Sequence, residues 1–442
     1  MPEIKKAIII GAGPTGLTTS LVLHQRNNIS TKIYELRPSP STIGGAIGIP
    51  SNGLRLLDRL GVYQDLVDCA SLDSKLFLHG VNGGLLGEVA WTEYLEKKIG
   101  YGYMRVKRGD LVRILLEANK ERGVEVEFGR RVVSVSESES ESESEAENGK
   151  GKGKGKITVR FDDGTEDSAD LLIGADGIHS SIRSLYVDPD IKQEYTAFAV
   201  TSAVTPTSSL PKDLIPAPGM HTVITSEGLF ALIPCTASGD ELFWFFSRET
   251  PAPESEDARD GWEVRRQEAL GNFKTDITAA LAEVKGDWGE VIRAVVKNPE
   301  AIQFYPVYRL PPGGRWSRGR CILLGDAAHA MPPHAGQGVS MALEDGFALS
   351  GLLLQGQGEE KEGLEDIWRR YDAVRRPRIE WVTRKADMYG DIRKKTGPWG
   401  LWMKEMVFMV GFGVYNWVGL GRRGFRLGYL MYDIEKEVAP AS

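Results

Sequence analysis

Three stretches of the chain share one pattern: a short run apolar at every position, a glycine, and then a segment with helical spacing. The runs are Ala7-Ile8-Ile9-Ile10 before Gly11, Leu171-Leu172-Ile173 before Gly174, and Cys321-Ile322-Leu323-Leu324 before Gly325. A strand without polar alternation is covered on both faces, the condition of a parallel strand lying between helices. Leu17, Leu21 and Leu23 give the first following helix an apolar face, and Met341, Leu343 and Leu349 form a stripe on the third. Between residues 195 and 310 the pattern changes. "EYTAFAVTSAV", "HTVITSEGLFALIPC", "ELFWFFSRE" and "IQFYPVYRL" are rich in β-branched and aromatic residues and read as strands of another sheet, interrupted by helical stretches near 261–298. The expected fold class is α/β.

The turn "GAGPTG" after the first run carries specific chemistry. Gly11 permits a tight turn, Gly13 lets a pyrophosphate approach the backbone, and Gly16 lets helix and strand pack closely. The helix N-terminus then offers N–H groups and a positive dipole to phosphate. "STKIYELRP" supplies a second strand ending at Glu35, where a carboxylate accepts the hydroxyls of a ribose and disfavours a 2′-phosphate. This turn therefore suits NAD or FAD, not NADP.

The other two runs carry different turns. "DLLIGADGIHSSIRSLY" repeats the strand and turn without a second GxGxxG; Asp176 stands at the strand end, and Arg183 is placed to pair with it or with phosphate. In "RCILLGDAAHAMPPHAGQGVSMALED", Asp326 sits where a carboxylate accepts hydrogen bonds from a polyol chain, Pro332-Pro333 enforces an extended stretch, and Gly336-Gln337-Gly338 opens a helix whose dipole faces a flat ligand. His329 reads as part of the turn. His334 is a candidate either for the pocket or for bracing that turn.

Composition narrows the setting. The 442 residues carry 54 basic and 61 acidic side chains, a formal charge of −7 that argues against nucleic acid as partner. Cys69, Cys235 and Cys321 are far apart, without the spacing of disulfides or zinc sites, and suit a reducing, intracellular compartment; no metal is expected. "MPEIKK" leads straight into the first strand, so no cleavable signal peptide is expected. Residues 136–156, serine and glutamate followed by glycine and lysine, lack apolar groups and are expected to form a disordered loop at a hairpin tip or between neighbouring strands, flanked by "GVEVEFG" and "KITVRFDDG".

Taken together, "GAGPTG" with Glu35, "GADGIHSSIR" and "GDAAHAMPPHAGQGVSMALED" resemble the FAD-dependent class A aromatic hydroxylases of the salicylate and para-hydroxybenzoate hydroxylase type, particularly fungal secondary-metabolite members. The resemblance spans residues 1 to about 385. It implies a Rossmann-like FAD-binding domain of the GR2 type in two parts, residues 1–190 and 311–385. An interleaved β-sheet substrate domain would occupy 191–310, and a C-terminal helical, aromatic-rich tail 386–442. Carried over by residue, Gly11, Ala12, Gly13 and Gly16 would hold the pyrophosphate and Glu35 the adenosine ribose. Gly48 would touch FAD through its backbone, and Arg108, in "MRVKRGDL", would contact it. Asp176 would serve both FAD and transient NAD(P)H, Asp326 would bind the ribityl chain, and Gly336, Gly338 and Val339 would lie at the isoalloxazine. The implied reaction uses NADPH or NADH and O2 to hydroxylate or epoxidise an aromatic or polyketide- or alkaloid-like small molecule through a flavin C4a-hydroperoxide. An oxidase or reductase without oxygen-atom transfer, or a non-catalytic flavin-binding module, is the alternative. Many fungal relatives carry an arginine in the first strand of the substrate sheet; here none occurs from Tyr195 through Ser247, which suggests a different substrate charge.

The tail, residues 396–425, contains an uncharged run from Met406 to Gly421 of 16 residues. That is short of the ~20 residues needed to span a bilayer. A helix packed on the flavin domain is expected, with peripheral membrane association as the alternative.

Overall fold

The computed structural model describes residues 4–40, 45–72, 75–90, 92–138, 155–252, 271–357, 362–425 and 427–439. Its first layer is a six-stranded sheet in which the three apolar runs lie side by side. The strand order is β17 (Ser317–Arg318), β18 (Cys321–Leu323), β11 (Leu171–Gly174), β1 (Lys6–Ile10), β2 (Ser30–Glu35) and β7 (Glu125–Phe128). From β18 to β7 every pairing is parallel, and only β17 runs the other way. Ile8, Ile9, Leu171, Leu172 and Ile322 are fully buried, as strands covered on both faces must be. Because all three glycine turns follow strands that point the same way, they converge at one edge of the sheet.

The helix Gly338–Gln355 departs from its expected form. Ser340 through Leu353 are all buried, so the helix is enclosed on every side and does not show a single apolar stripe. It packs between the helices Pro14–Asn27 and Leu364–Asp391, and the short C-terminal helix Ile434–Glu437 closes over it.

The second layer is a seven-stranded sheet of order β16 (Glu300–Arg309), β12 (Glu194–Pro206), β15 (Glu241–Glu249), β14 (Gly228–Pro234), β13 (Met220–Ile224), β4 (Lys75–His79) and β5 (Leu85–Ala90). The four expected stretches thus become β12 to β16. Residues 191–310 alone do not build the sheet, because β4 and β5 are drawn in from the 1–190 segment, β4 pairing in parallel with β13. The helices Phe273–Ala280 and Gly286–Lys297 cover one face through Trp288, Ile292 and Val295; residues 261–270, where helix was also expected, lie outside the described residues. Two antiparallel strands, β3 (Ala46–Pro50) and β6 (Tyr103–Lys107), form a separate ribbon.

The polar tract requires a correction. "GVEVEFG" does not flank its hairpin, since it forms β7 in the parallel sheet. The tract instead joins β8 (Val132–Glu137) to β9 (Ile157–Phe161), which pair antiparallel and continue to β10 (Glu166–Ala169). Its ends are structured: Ser138 N–H donates to the Lys156 carbonyl at 2.9 Å, and Glu137 accepts from the Tyr186 hydroxyl at 2.8 Å. The remainder, 139–154, lies outside the described residues.

The tail helix, Pro398–Val418, does not pack on the flavin-type sheet. It docks on β5 and the second sheet: Phe408 and Phe412 join the cluster around Leu78, Ile233 and Phe243, and a side chain on Gly87 would meet the Phe412 Cβ at 2.6 Å. Glu405 accepts the Val81 N–H at 2.7 Å, and Asn416 donates to the Glu88 carbonyl at 2.9 Å. No helix among the described residues is long and apolar enough to cross a membrane.

Candidate active site

The three glycines of the first turn occupy three different environments. Gly11 has φ +109°, and a Cβ there would lie 2.4 Å from the Ala175 carbonyl oxygen. At Gly16 a Cβ would lie 2.0 Å from the Gly11 oxygen, so the helix can close on the strand only without one. Around Gly13, the N-cap of the helix, a Cβ would meet nothing within 4 Å: the space there is left to something other than protein. Glu35 reaches back to the same turn, accepting the Ala12 N–H and the Arg37 N–H, each at 2.9 Å.

The second turn differs from expectation at Arg183. This guanidinium is buried and braces backbone, donating to the carbonyls of Ala327 and Ile178, so it neither pairs with Asp176 nor reaches outward to a phosphate. Asp176 instead uses Oδ2 to accept the Ser181 N–H and hydroxyl at 2.7 and 2.8 Å, while its Oδ1 is buried without a partner. Gly48 has its own structural reason to be glycine: a Cβ would lie 1.7 Å from the Tyr103 hydroxyl, which covers it across the β3–β6 ribbon.

The third turn brings together residues distant in the chain. Asp326 is solvent-accessible, yet burial raises its carboxyl above the usual range, opposed by the positive charge of Arg108 and by His329. Tyr305, on β16, is 41% exposed, and burial pushes its hydroxyl up to about 12, again with Arg108 opposing. Both groups are accessible to solvent yet lie in surroundings that disfavour their charged forms. Arg108, Asp326 and Tyr305 come from three separate parts of the chain, and the Arg108 charge is felt by both of the others. Gly336 and Gly338 are exposed; a Cβ on Gly338 would meet nothing within 4 Å, and Val339 beside it is half-buried against the core.

His329 and His334 part company. His329 is buried with Nε2 2.7 Å from Asp345 and belongs to the scaffold. His334 packs edge-on against Phe198 of the second sheet, with ring centroids 5.4 Å apart; its Nε2 is buried without a partner, and burial together with nearby Arg393 depresses its pKa to about 3. It is therefore a neutral imidazole throughout the ordinary pH range.

Sequence reasoning missed the ionic network beneath this turn. Asp345 accepts from His329 Nε2, from the Gly325 N–H at 2.8 Å and from Arg375 Nε at 2.8 Å; Arg375 Nη1 also reaches Glu344 at 2.7 Å, and Glu344 holds Arg378 at 3.0 Å and Asn52 at 2.8 Å. Two adjacent acids in an otherwise apolar helix, "MALEDG", were the available signal, because buried carboxylates require cations.

The FAD binding domain family matches residues 5–299 and 313–386, which is most of the chain and takes in all three turns. The chain belongs to this family. FAD is its cofactor, and the residues present fit it: open space at Gly13 and Gly338, an unpartnered carboxylate oxygen on Asp176, and the Asp326 carboxylate under the positive charge of Arg108. Similar proteins include 6-hydroxynicotinate 3-monooxygenase of Pseudomonas fluorescens, 27% identical over 80% of this chain and 83% of that protein, and salicylate hydroxylase of Pseudomonas putida, 26% identical over 88% and 86%. Among solved structures, Klebsiella pneumoniae HpxO complexed with FAD and uric acid has the same fold, with TM-score 0.73, 24% identity, and coverage of 96% of this chain and 98% of that one. The chain is an FAD-dependent oxidoreductase of the monooxygenase type.

Proposed function

We propose that this flavoprotein uses NAD(P)H and O2 to hydroxylate or epoxidise an electron-rich aromatic metabolite carrying an acidic hydroxyl or carboxyl group, a class that includes aromatic polyketide- and alkaloid-like compounds of secondary metabolism. The observation that carries it is the approach of Arg108, Asp326 and Tyr305, Asp326 from the third glycine turn and Tyr305 from the second sheet, with the Arg108 charge acting on both of the others. FAD, when bound and reduced there, supplies the electrons and the route by which oxygen is activated.

The chain's own residues supply binding, orientation and exclusion of water. The turn of Gly11, Ala12, Gly13 and Gly16 receives the pyrophosphate on helix N–H groups, Glu35 takes the adenosine ribose, and the backbone of Gly48 borders the cofactor. Asp176 offers its unpartnered oxygen, and Asp326 and Arg108 hold the ribityl and phosphate groups. The Gly336–Val339 segment presents a helix N-terminus to the flat ring, where partial positive charge favours an anionic ring edge. His334, neutral and with a bare Nε2, is placed to exchange a hydrogen bond with a substrate hydroxyl. Close to it, Arg393 is buried with Nε unpartnered, and burial lowers its pKa to about 10. An anionic substrate group beside it would relieve that cost, so Arg393 takes over the charge role left open by the arginine-free strand β12. The sheet above excludes water while the reactive oxygen is present. The three named acidic or phenolic substrates of the relatives support the same reading: hydroxynicotinate, salicylate and uric acid.

The deciding experiment combines isotopic oxygen incorporation into an aromatic product with NAD(P)H oxidation and peroxide release; substrate-stimulated NAD(P)H oxidation with no labelled product would overturn oxygen-atom transfer. Two variants separate the parts. Glu35→Ala should be purified with most of its FAD lost, and retention of a full complement refutes the ribose assignment. Asp326→Ala removes charge-assisted hydrogen bonds worth about 1.5–3 kcal/mol and should recover activity with excess FAD, whereas Gly338→Val should bind some flavin but release peroxide in place of product.

A further inference from the structure

The tail helix is amphipathic in the reverse sense. Its inner face touches protein through Leu401, Glu405, Phe408, Phe412 and Asn416, which includes its polar contacts. Its outer face is apolar from end to end: Trp399 is 80% exposed, Val407 65% and Trp417 88%, with Met403, Val410 and Val414 exposed between them. At 100° per residue these six lie within one quarter of the helical circumference, a quarter with no charge on it. Exposed apolar surface this continuous marks an interaction site.

Charge decides what covers it. Between Ile392 and Leu427 the sequence has seven basic residues and one acidic residue, in a chain whose net charge is −7; Arg393 is buried, and Lys394 and Lys395, though exposed, pair with Asp391 and Glu227. The acidic one, Glu405, is turned inward onto the Val81 N–H, while the exposed Lys394 and Lys395 precede the helix and the exposed Arg423 follows it, with Lys404 between. Two copies pairing through this face would bring the cations flanking each helix together with no acid on the outer face of either to offset them, which disfavours self-association. Tryptophans at both ends of an uncharged face, flanked by lysine and arginine, match the interface of an anionic bilayer, where indole rings sit at headgroup depth and cations meet lipid phosphates. Among the described residues no helix, this one included, is long and apolar enough to cross a membrane. We propose that the outer face of Pro398–Val418 lies on the surface of an anionic lipid membrane, with the helix axis in the membrane plane, so that the enzyme works as a peripheral membrane protein.

The test is flotation of the full-length holoprotein with vesicles of phosphatidylcholine alone and with phosphatidylserine added, read together with tryptophan emission. Binding to the anionic vesicles, a blue shift, and weakening by at least tenfold as salt is raised are expected. The double variant Trp399→Ser/Trp417→Ser should lose at least tenfold in partitioning while keeping its FAD absorbance and melting temperature, because both side chains are solvent-exposed. Arg423→Glu, also exposed, checks the electrostatic part and should weaken binding to the anionic vesicles only. Failure to float with either vesicle, equal partitioning onto neutral lipid, or a dimer in sedimentation that the double variant abolishes would each overturn the proposal, the last by assigning the face to a second copy.

Discussion

Arg375→Ala should be the most damaging single substitution at the scaffold, costing about 3–5 kcal/mol of folding stability, because removing one partner of a buried ion pair strands the others. Arg375 is wholly buried and holds Asp345 and Glu344 at once, and both of those carboxylates are likewise buried. Asp345 in turn fixes His329 and the Gly325 N–H, the start of the turn that carries Asp326. Urea unfolding of the apoprotein measures the loss, and the variant should also release FAD; a change below about 1 kcal/mol would show that water or a rearranged arginine replaces the contact. The same network has a pH signature. Burial alone would raise the Asp345 carboxyl, but His329, Arg375 and the hydrogen bonds from His329 and Gly325 outweigh it and hold the pKa down to about 2, below the ordinary 3.8. A carboxylate depressed in the folded state stabilises the fold above its unfolded pKa. That contribution is present above about pH 4 and is lost as pH falls through about 2. Asp345→Asn should remove this part of the acid dependence, as read from stability measured between pH 2 and 5.

The second large effect distinguishes a glycine needed by the fold from one needed by the ligand. Gly13→Val should leave the apoprotein folded with an ordinary melting curve, since a Cβ there meets no protein atom and the backbone is extended. Yet FAD affinity should fall by roughly 100-fold, as overpacking costs about 1–3 kcal/mol even where neighbours relax. Gly16→Val should behave differently, because its Cβ would lie 2.0 Å from a backbone oxygen that cannot swing aside, so the apoprotein itself is destabilised. Flavin titration and thermal melting of the two apoproteins, side by side, check the contrast. Equal flavin affinity in Gly13→Val and the parent protein would remove the pyrophosphate from this turn.

The sequence by itself determined the elements whose signals are local. Runs such as Ile8-Ile9-Ile10 declare a strand buried on both faces, glycines at fixed spacing declare a turn too tight for side chains, and an acid at the end of β2 declares a ribose-binding position, because each rests on the backbone and its near neighbours. Only the tertiary structure decided what depends on residues distant in the chain. That Arg183 braces carbonyls, that Gly48 makes room for Tyr103, and that Glu344 and Asp345 meet Arg375 some thirty residues later all follow from packing, which periodicity does not encode. The recruitment of β4 and β5 into the second sheet is a long-range pairing of the same kind, set by strand-to-strand hydrogen bonds between segments more than a hundred residues apart. The tail shows the division most sharply. Its composition identified a hydrophobic helix, but burial of its polar contacts and exposure of its tryptophans were fixed by the sheet it docks on, since a helix that is apolar on most sides has no preferred inner face until a partner supplies one.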